Sequence, residues 1–171
     1  MFDDLDLASF WEDSSANEEY VEEPPSAETV TEVERALGYR LPAAYVALAQ
    51  HQNGGLPVRT NHRTAEPTTW SEDHVAVNGI FSIGSAKPSS LCGELGSRFW
   101  VEEWGYPEIG VYFADCPSAG HDMLCLDYRA CGPEGEPRVV HVDQERDYRI
   151  TFVAESFEAF IRGLEGDEAF E

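Results

Sequence analysis

The sequence predicts an α+β fold: an antiparallel or mixed sheet of about five to six strands, with helices packed mainly on one side. Two observations carry this prediction. Apolar residues in the first third recur at helical spacing, whereas the last third alternates short apolar runs with Gly- and Pro-rich gaps. Helices first, a run of strands next and a closing helix at the end form the order typical of α+β domains.

The first two helices have recognisable start and stop signals. Ser26 is a candidate N-cap, an apolar face follows it, and Gly38 is placed to end the helix. Pro42 then occupies what we expect to be the first position of a second helix. The sequence Asn53-Gly54-Gly55 ends that helix and leads into a polar segment over residues 56–73, which is predicted as a loop with or without a short irregular strand.

The remaining elements are predicted from spacing and turn residues. An extended stretch from Val75 to Ile83 contains the turn signal Asn78-Gly79, and a third helix is predicted from Ser90 to about Gly105. Ser156 begins a closing helix. Four candidate strands lie between these helices, at Gly110–Ala114, His121–Tyr128, Arg138–Asp143 and Tyr148–Val153.

Three segments are predicted along the chain. Residues 1–23 form an acidic, partly helical extension that packs through Leu7, Phe10 and Trp11. Residues 24–165 form the α+β domain, and residues 166–171 form an acidic tail.

The charge of the chain restricts its partners. The 171 residues include 33 acidic and 11 basic ones, for a formal net charge of −22. Such a field repels nucleic acid and anionic lipid and attracts cationic partners, although acidity can also serve solubility alone. We therefore expect no nucleic-acid or membrane partner, while the oligomeric state is left open.

We expect a cytoplasmic location, because no secretory signal and no run of 18 apolar residues is present. The cysteines are predicted to be free thiols, since none forms a CxxC pair. They are Cys92, Cys116, Cys125 and Cys131. No phosphate-binding loop is found, and no cofactor is expected.

One motif carries a family resemblance. The run Glu34-x-x-Leu37-Gly38-x-x-Leu41-Pro42-x-x-Tyr45, followed by Asn53-Gly54-Gly55, resembles the SUKH superfamily, which includes Smi/Knr-type cell-wall-assembly regulators and bacterial immunity proteins. The residues read as a joint between two helices, not as an active site. The resemblance, which spans roughly residues 24 to 165, implies an α+β protein-binding domain.

Two groups of acidic and aromatic residues are candidates for binding a partner. Trp100 and Trp104, four residues apart, are predicted to share a helix face near Glu102 and Glu103. Such a pair is more often part of a core, but it can also anchor a cationic partner. The predicted turn from Asp115 to Asp122 adds those two carboxylates and His121. Alternatively, Asp115 and Asp122 only hydrogen-bond backbone amides and have a structural role.

Metal binding and catalysis are the alternatives from another class. His121, Asp122, His141 and Asp143 are weak metal candidates, because a simple hairpin places Cys125 nearly opposite His141 and leaves His121 about 13 Å away. Ser118 and Cys116 lie near His121, but neighbours on a turn rarely form a nucleophile–base pair, and no G-x-S-x-G elbow is present. No catalytic residue is assigned.

The resemblance and the charge together predict an immunity-type protein that neutralises a cognate bacterial toxin, possibly a nuclease. The expected partner is a cationic domain of that toxin. A regulatory or scaffold module of the same fold is the first alternative. A metal-dependent enzyme, such as a hydrolase, is the second.

Overall fold

A computed structural model describes residues 2–68 and 70–171 of the chain. The described residues form helices α1 (Ala27–Leu37), α2 (Ala43–His51), α3 (Ser97–Glu102) and α4 (Phe157–Arg162). The strands are β1 (Asn61–Arg63), β2 (His74–Ala76), β3 (Gly79–Ile80), β4 (Gly110–Asp115), β5 (Asp122–Asp127), β6 (Arg138–Asp143) and β7 (Arg149–Ala154). The predicted α+β class is confirmed.

The main sheet has five antiparallel strands in the order β3-β4-β5-β6-β7, so each strand pairs with its neighbour in sequence. Strands β1 and β2 form a separate two-stranded sheet. The four strands predicted in the last third all occur, within about one residue of their predicted ends. Gly and Pro occur in the connections from β4 to β5 and from β5 to β6, where they favour turns between antiparallel neighbours.

The register of β5 and β6 differs from the prediction by one residue. Leu124, not Cys125, lies opposite His141, and Asp122 pairs with Asp143. Strand β5 begins at Asp122, so that His121 belongs to the preceding turn. Because a one-residue slip turns every side chain to the other face, the correction places Asp122 on the face that carries His141.

The helix boundaries follow their predicted caps with two corrections. Ser26 caps α1 through its side chain, and Gly38 ends that helix with a φ of 84°. Pro42 is the N-cap of α2 and not its first helical residue. The third helix is much shorter than predicted, because residues 90–96 run as tight turns before α3 begins at Ser97.

The motif joint between α1 and α2 is held by one side chain. A carboxylate oxygen of Glu34 accepts a hydrogen bond of 2.7 Å from the backbone N–H of Leu41. The intervening Arg40 is fixed through its backbone, which donates to Pro133 and accepts from the Tyr128 hydroxyl. Thus the motif has a structural task, as its sequence predicts.

The core lies between the main sheet and helices α2 and α4. Phe113 of β4 contacts the rings of Tyr45, Phe157 and Phe160. Tyr45 and Phe157 stack with ring centroids 4.5 Å apart, and the buried hydroxyl of Tyr45 donates to the carbonyl of Phe81. The helix-capping joint therefore positions α2 directly against the sheet.

The N-terminal segment contributes side chains to the same core. Phe2, Phe10 and Tyr20 are buried, while Leu7 and Trp11 pack against the core only in part. Its regular structure is a 3₁₀ helix at Ser15–Glu19. In the part of the chain that the structure describes, no helix is long and apolar enough to cross a membrane.

Candidate partner-binding site

A cavity of about 310 Å³ opens between the α3 region and the turn that joins β4 to β5. Its lining is mainly aromatic and apolar and includes one carboxylate. The lining residues are Phe81, Ser89, Leu95, Phe99, Trp100, Trp104, Asp115, Ala119 and Gly120. We refer to this cavity as the aromatic pocket.

The two tryptophans of the aromatic pocket differ in exposure. Trp100 is 7% exposed, and its indole N–H donates to the carbonyl of Leu95. Trp104 lies beyond the end of α3, is half-buried and has its ring 5.3 Å from that of Trp100. Trp100 therefore belongs to the core, as the more common interpretation of such a pair predicts, whereas Trp104 offers part of its ring to solvent.

The turn between β4 and β5 forms the opposite wall. Ala119 and Gly120 both have positive φ values, of 56° and 94°. A Cβ atom added to Gly120 would lie 2.5 Å from Cζ3 of Trp100, so only glycine permits the turn to approach the indole this closely. The hydroxyl of Tyr106 also donates to the carbonyl of Gly120 and fixes the turn from below.

Asp115 is the carboxylate of the aromatic pocket. It accepts hydrogen bonds from the Tyr20 hydroxyl, the Asn78 amide and the backbone N–H of Gly79, all at 2.9–3.1 Å. Burial raises the pKa of Asp115 above its ordinary value, although these donors act in the opposite direction. Contact with a backbone amide matches the structural interpretation of this residue, but Asp115 still borders the cavity.

Several charged residues lie near Trp104 in the chain or beside its ring. Glu102 and Glu103 are exposed, and Glu102 forms an ion pair with Arg98 at 3.0 Å. The ring of His121 contacts that of Trp104, with centroids 5.7 Å apart, and Nδ1 of His121 lies 3.3 Å from Glu145. These charged neighbours of Trp104 are predominantly acidic.

The sequence-predicted binding residues thus divide into two groups. Trp100, Trp104 and Asp115 line the aromatic pocket, with His121 beside it. Asp122 does not: it is buried and faces His141. The prediction missed Leu95 and Phe99, whose apolar spacing had been assigned to a longer third helix.

Asp122 belongs to a second group, which we call the buried polar cluster: Cys116, Ser118, Asp122 and His141. Nε2 of His141 lies 2.7 Å from a carboxylate oxygen of Asp122, and the Ser118 hydroxyl donates to the other oxygen. The thiol of Cys116 lies within 4.8 Å of these Asp122 and His141 atoms. The Asp122 carboxylate therefore bonds to side chains, and the sequence interpretation of Asp122 as an acceptor from backbone amides is wrong.

The buried polar cluster has unusual proton affinities. Burial alone would raise the pKa of Asp122, but hydrogen bonds from His141 and Ser118 hold it below the ordinary value. Burial also raises the pKa of the Cys116 thiol well above normal. Nδ1 of His141 has no hydrogen-bond partner among the described residues.

Only part of the predicted metal set meets in this cluster. Asp122 and His141 are in contact, while His121 turns outwards to Gln144 and Glu145. Cys116, which is absent from the predicted metal set, also lies beside His141, whereas the register expected for β5 and β6 would have turned Asp122 to the other face. Ser118 bonds to Asp122, and the hypothetical pairing of Ser118 with His121 as nucleophile and base is absent from the described hydrogen bonds.

A comparison with protein families identifies the domain. Residues 24–163 match the model of the SMI1 / KNR4 family (SUKH-1). The chain belongs to this family. The match includes the α1–α2 joint, the aromatic pocket and the buried polar cluster, whereas Tyr20, which bonds to Asp115, precedes it.

Membership in the SUKH-1 family supports an immunity-type or Smi1/Knr4-like protein that works through protein–protein interaction. A search of curated proteins finds no match to the chain.

Proposed function

We propose that this protein is an immunity protein that binds a cognate bacterial toxin and blocks its action, with the aromatic pocket as the anchor point. The observation that carries the proposal is a partly exposed tryptophan in an apolar cavity with acidic surroundings, in a SUKH-1 chain of net charge −22. Interfaces draw much of their binding energy from a few aromatic anchors in desolvated pockets.

The proposed ligand of the pocket is a cationic side chain of the toxin, preferably arginine. The face of Trp104 can stack on a guanidinium group, and Asp115 provides a carboxylate in the pocket lining. Glu103, which precedes Trp104 in the chain, is exposed. The net charge also speeds the encounter with a basic domain, such as one that binds nucleic acid. Acidic side chains would then occupy the surface that the toxin offers to its anionic substrate.

The test uses the toxin-like product of the adjacent gene, co-expressed with this protein in a sensitive host. We expect the wild-type chain to restore growth and to copurify with the toxin. Trp104→Ala should weaken both effects by about tenfold or more, since loss of an anchor costs about 2 kcal/mol or more. Trp70→Ala is the matched control, because Trp70 is exposed and lies outside the pocket lining.

The possible outcomes test the immunity function and the binding surface separately. If the wild-type chain neither protects nor copurifies with a toxin, the immunity function is wrong. If it protects but Trp104→Ala protects equally well, the function stands and the pocket is not the anchor.

A regulatory or scaffold module is the second candidate, because the family match bears the name of the Smi1/Knr4-type regulators. On this alternative the pocket would bind a host protein. Recovery of the same host protein by the wild-type chain but not by Trp104→Ala, with no toxin gene adjacent, would favour it over the immunity function.

A further inference from the structure

Three side chains with metal-binding atoms meet inside the molecule, next to the aromatic pocket. The thiol of Cys116, a carboxylate oxygen of Asp122 and a ring nitrogen of His141 all lie within 4.8 Å of one another. Each of the three residues is at least nine-tenths buried. Cys116 directly follows β4, Asp122 begins β5 and His141 lies in the middle of β6, so only the folded sheet assembles them.

We propose that Cys116, Asp122 and His141 form a Zn²⁺ site. Thiolate, imidazole and carboxylate are the three ligand types that zinc takes in proteins, and the mixed set favours zinc over Ca²⁺ or Mg²⁺, which prefer oxygen. One thiolate and one carboxylate also neutralise a divalent cation. The loaded site therefore has no net charge, which suits a buried position.

The geometry of the cluster is close to what zinc needs. Bond lengths of about 2.0–2.3 Å place the ligand atoms of a tetrahedral site roughly 3.3–3.8 Å apart. The ligand atoms are now up to 4.8 Å apart, so the longer distances have to shorten slightly on binding. The 2.7 Å contact between Asp122 and His141 has to lengthen to admit the ion. Water can take the fourth position.

Ser118 provides the outer support for this site. Its hydroxyl donates to the carboxylate oxygen of Asp122 that does not face His141, and its oxygen accepts from the backbone N–H of Asp122. Hydrogen bonds of this kind orient metal-bound carboxylates and contribute to affinity.

Zinc binding at this site releases one proton. The thiol of Cys116 loses its proton to solvent as the S–Zn bond forms. The imidazole keeps one proton, which moves from Nε2 to Nδ1, and Nε2 then gives its lone pair to the metal. Asp122 binds as the carboxylate, and no oxidation or reduction takes place.

A bound ion would join β4, β5 and β6 at the base of the turn from Cys116 to His121. The outer side of this turn, at Ala119 and Gly120, is a wall of the aromatic pocket. The zinc site would thus set the shape of the pocket, but it does not depend on the proposed immunity function.

The experiment measures metal directly on the full chain. Protein stripped with a chelator is titrated with ZnCl₂ in competition with a chromophoric chelator, and with CoCl₂, whose visible spectrum reports thiolate ligation in a tetrahedral site. We expect one equivalent of zinc per chain and a thiolate-to-cobalt charge-transfer band. Cys116→Ala should abolish the band, and Asp122→Asn and His141→Gln should weaken zinc binding at least tenfold.

Cys125→Ala is the matched control, because Cys125 is an equally buried thiol on β5 outside the cluster. It should retain the band and the stoichiometry. Circular dichroism shows whether each variant has folded, and the cobalt spectrum of the wild-type chain gives a result even if a variant does not fold. Absence of a thiolate–cobalt band in the wild-type chain, or equal zinc binding by folded Cys116→Ala, would overturn the site.

Discussion

Gly120 lies in the turn between β4 and β5, where it contacts Trp100 of the aromatic pocket. Gly120→Ala should destabilise the protein, because the left-handed φ costs about 1–2 kcal/mol and the contact with Trp100 about 1–3 kcal/mol more. Gly132→Ala is the control, since Gly132 also has a positive φ but no atom within 4 Å of the added Cβ. Urea unfolding measures the loss of stability in both variants. Equal losses would show that the Trp100 ring moves aside without an energetic cost.

His62 gives a second prediction at the scale of one residue. It is partly buried, stacks on Phe160 with centroids 5.3 Å apart, and bonds through Nδ1 to the carbonyl of Arg63. Burial lowers the pKa of His62, so the folded chain takes up this proton less readily than the unfolded chain, whose histidine titrates near 6.5. The stabilisation is therefore complete above about pH 6.5 and is lost as the pH falls through the folded-state pKa.

We expect the free energy of unfolding to fall more steeply between pH 7 and pH 5 in the wild-type chain than in His62→Phe, which keeps an aromatic ring but cannot titrate. Urea unfolding at several pH values in this range measures the difference between the two chains. Parallel curves would show that His62 titrates alike in the folded and unfolded states.

At the scale of elements, the joint between α1 and α2 explains why the family motif begins with glutamate. Glu34→Ala should cost about 1–3 kcal/mol, because the backbone N–H of Leu41 loses its acceptor. Glu32→Ala on the same helix should change stability by about 0.5 kcal/mol or less, since Glu32 is exposed. Thermal unfolding compares the two, and a larger effect at Glu32 would contradict the structural interpretation of the motif.

The elements also show where sequence patterns succeed and where they fail. The caps at Ser26, Gly38 and Ser156 could be predicted because each signal is local to its helix. The start of the third helix could not, because the turns of residues 90–96 are held by long-range bonds, such as the one that the Ser90 hydroxyl donates to the carboxylate of Glu22. An apolar spacing alone does not distinguish such turns from a helix.

At the scale of the whole molecule, the dominant property is the net charge of −22. Like charges held close together in the folded chain repel one another more than in the expanded unfolded chain, and salt screens this repulsion over about 10 Å at 0.1 M. We therefore expect the free energy of unfolding to rise between 10 mM and 500 mM KCl, measured in urea because guanidinium is itself a salt. A decrease would mean that the ion pairs, such as Arg129 with Asp127, outweigh the repulsion.

The N-terminal segment packs against the rest of the fold, although the family match begins only at residue 24. Phe10 and Tyr20 lie in the core, and the Tyr20 hydroxyl reaches Asp115 at the aromatic pocket. A sequence pattern shows the apolar residues of such a segment but not the surface on which they pack.

The sequence by itself determined the fold class, the strands of the main sheet, the capped helices and the family motif, because each depends on residues near one another in the chain. The tertiary structure alone decided the two sites. The register of β5 against β6, shifted by one residue from the simple hairpin, brings Asp122 to His141. The positive φ values of Ala119 and Gly120 bring the turn against Trp100, and both contacts depend on how distant segments pack together.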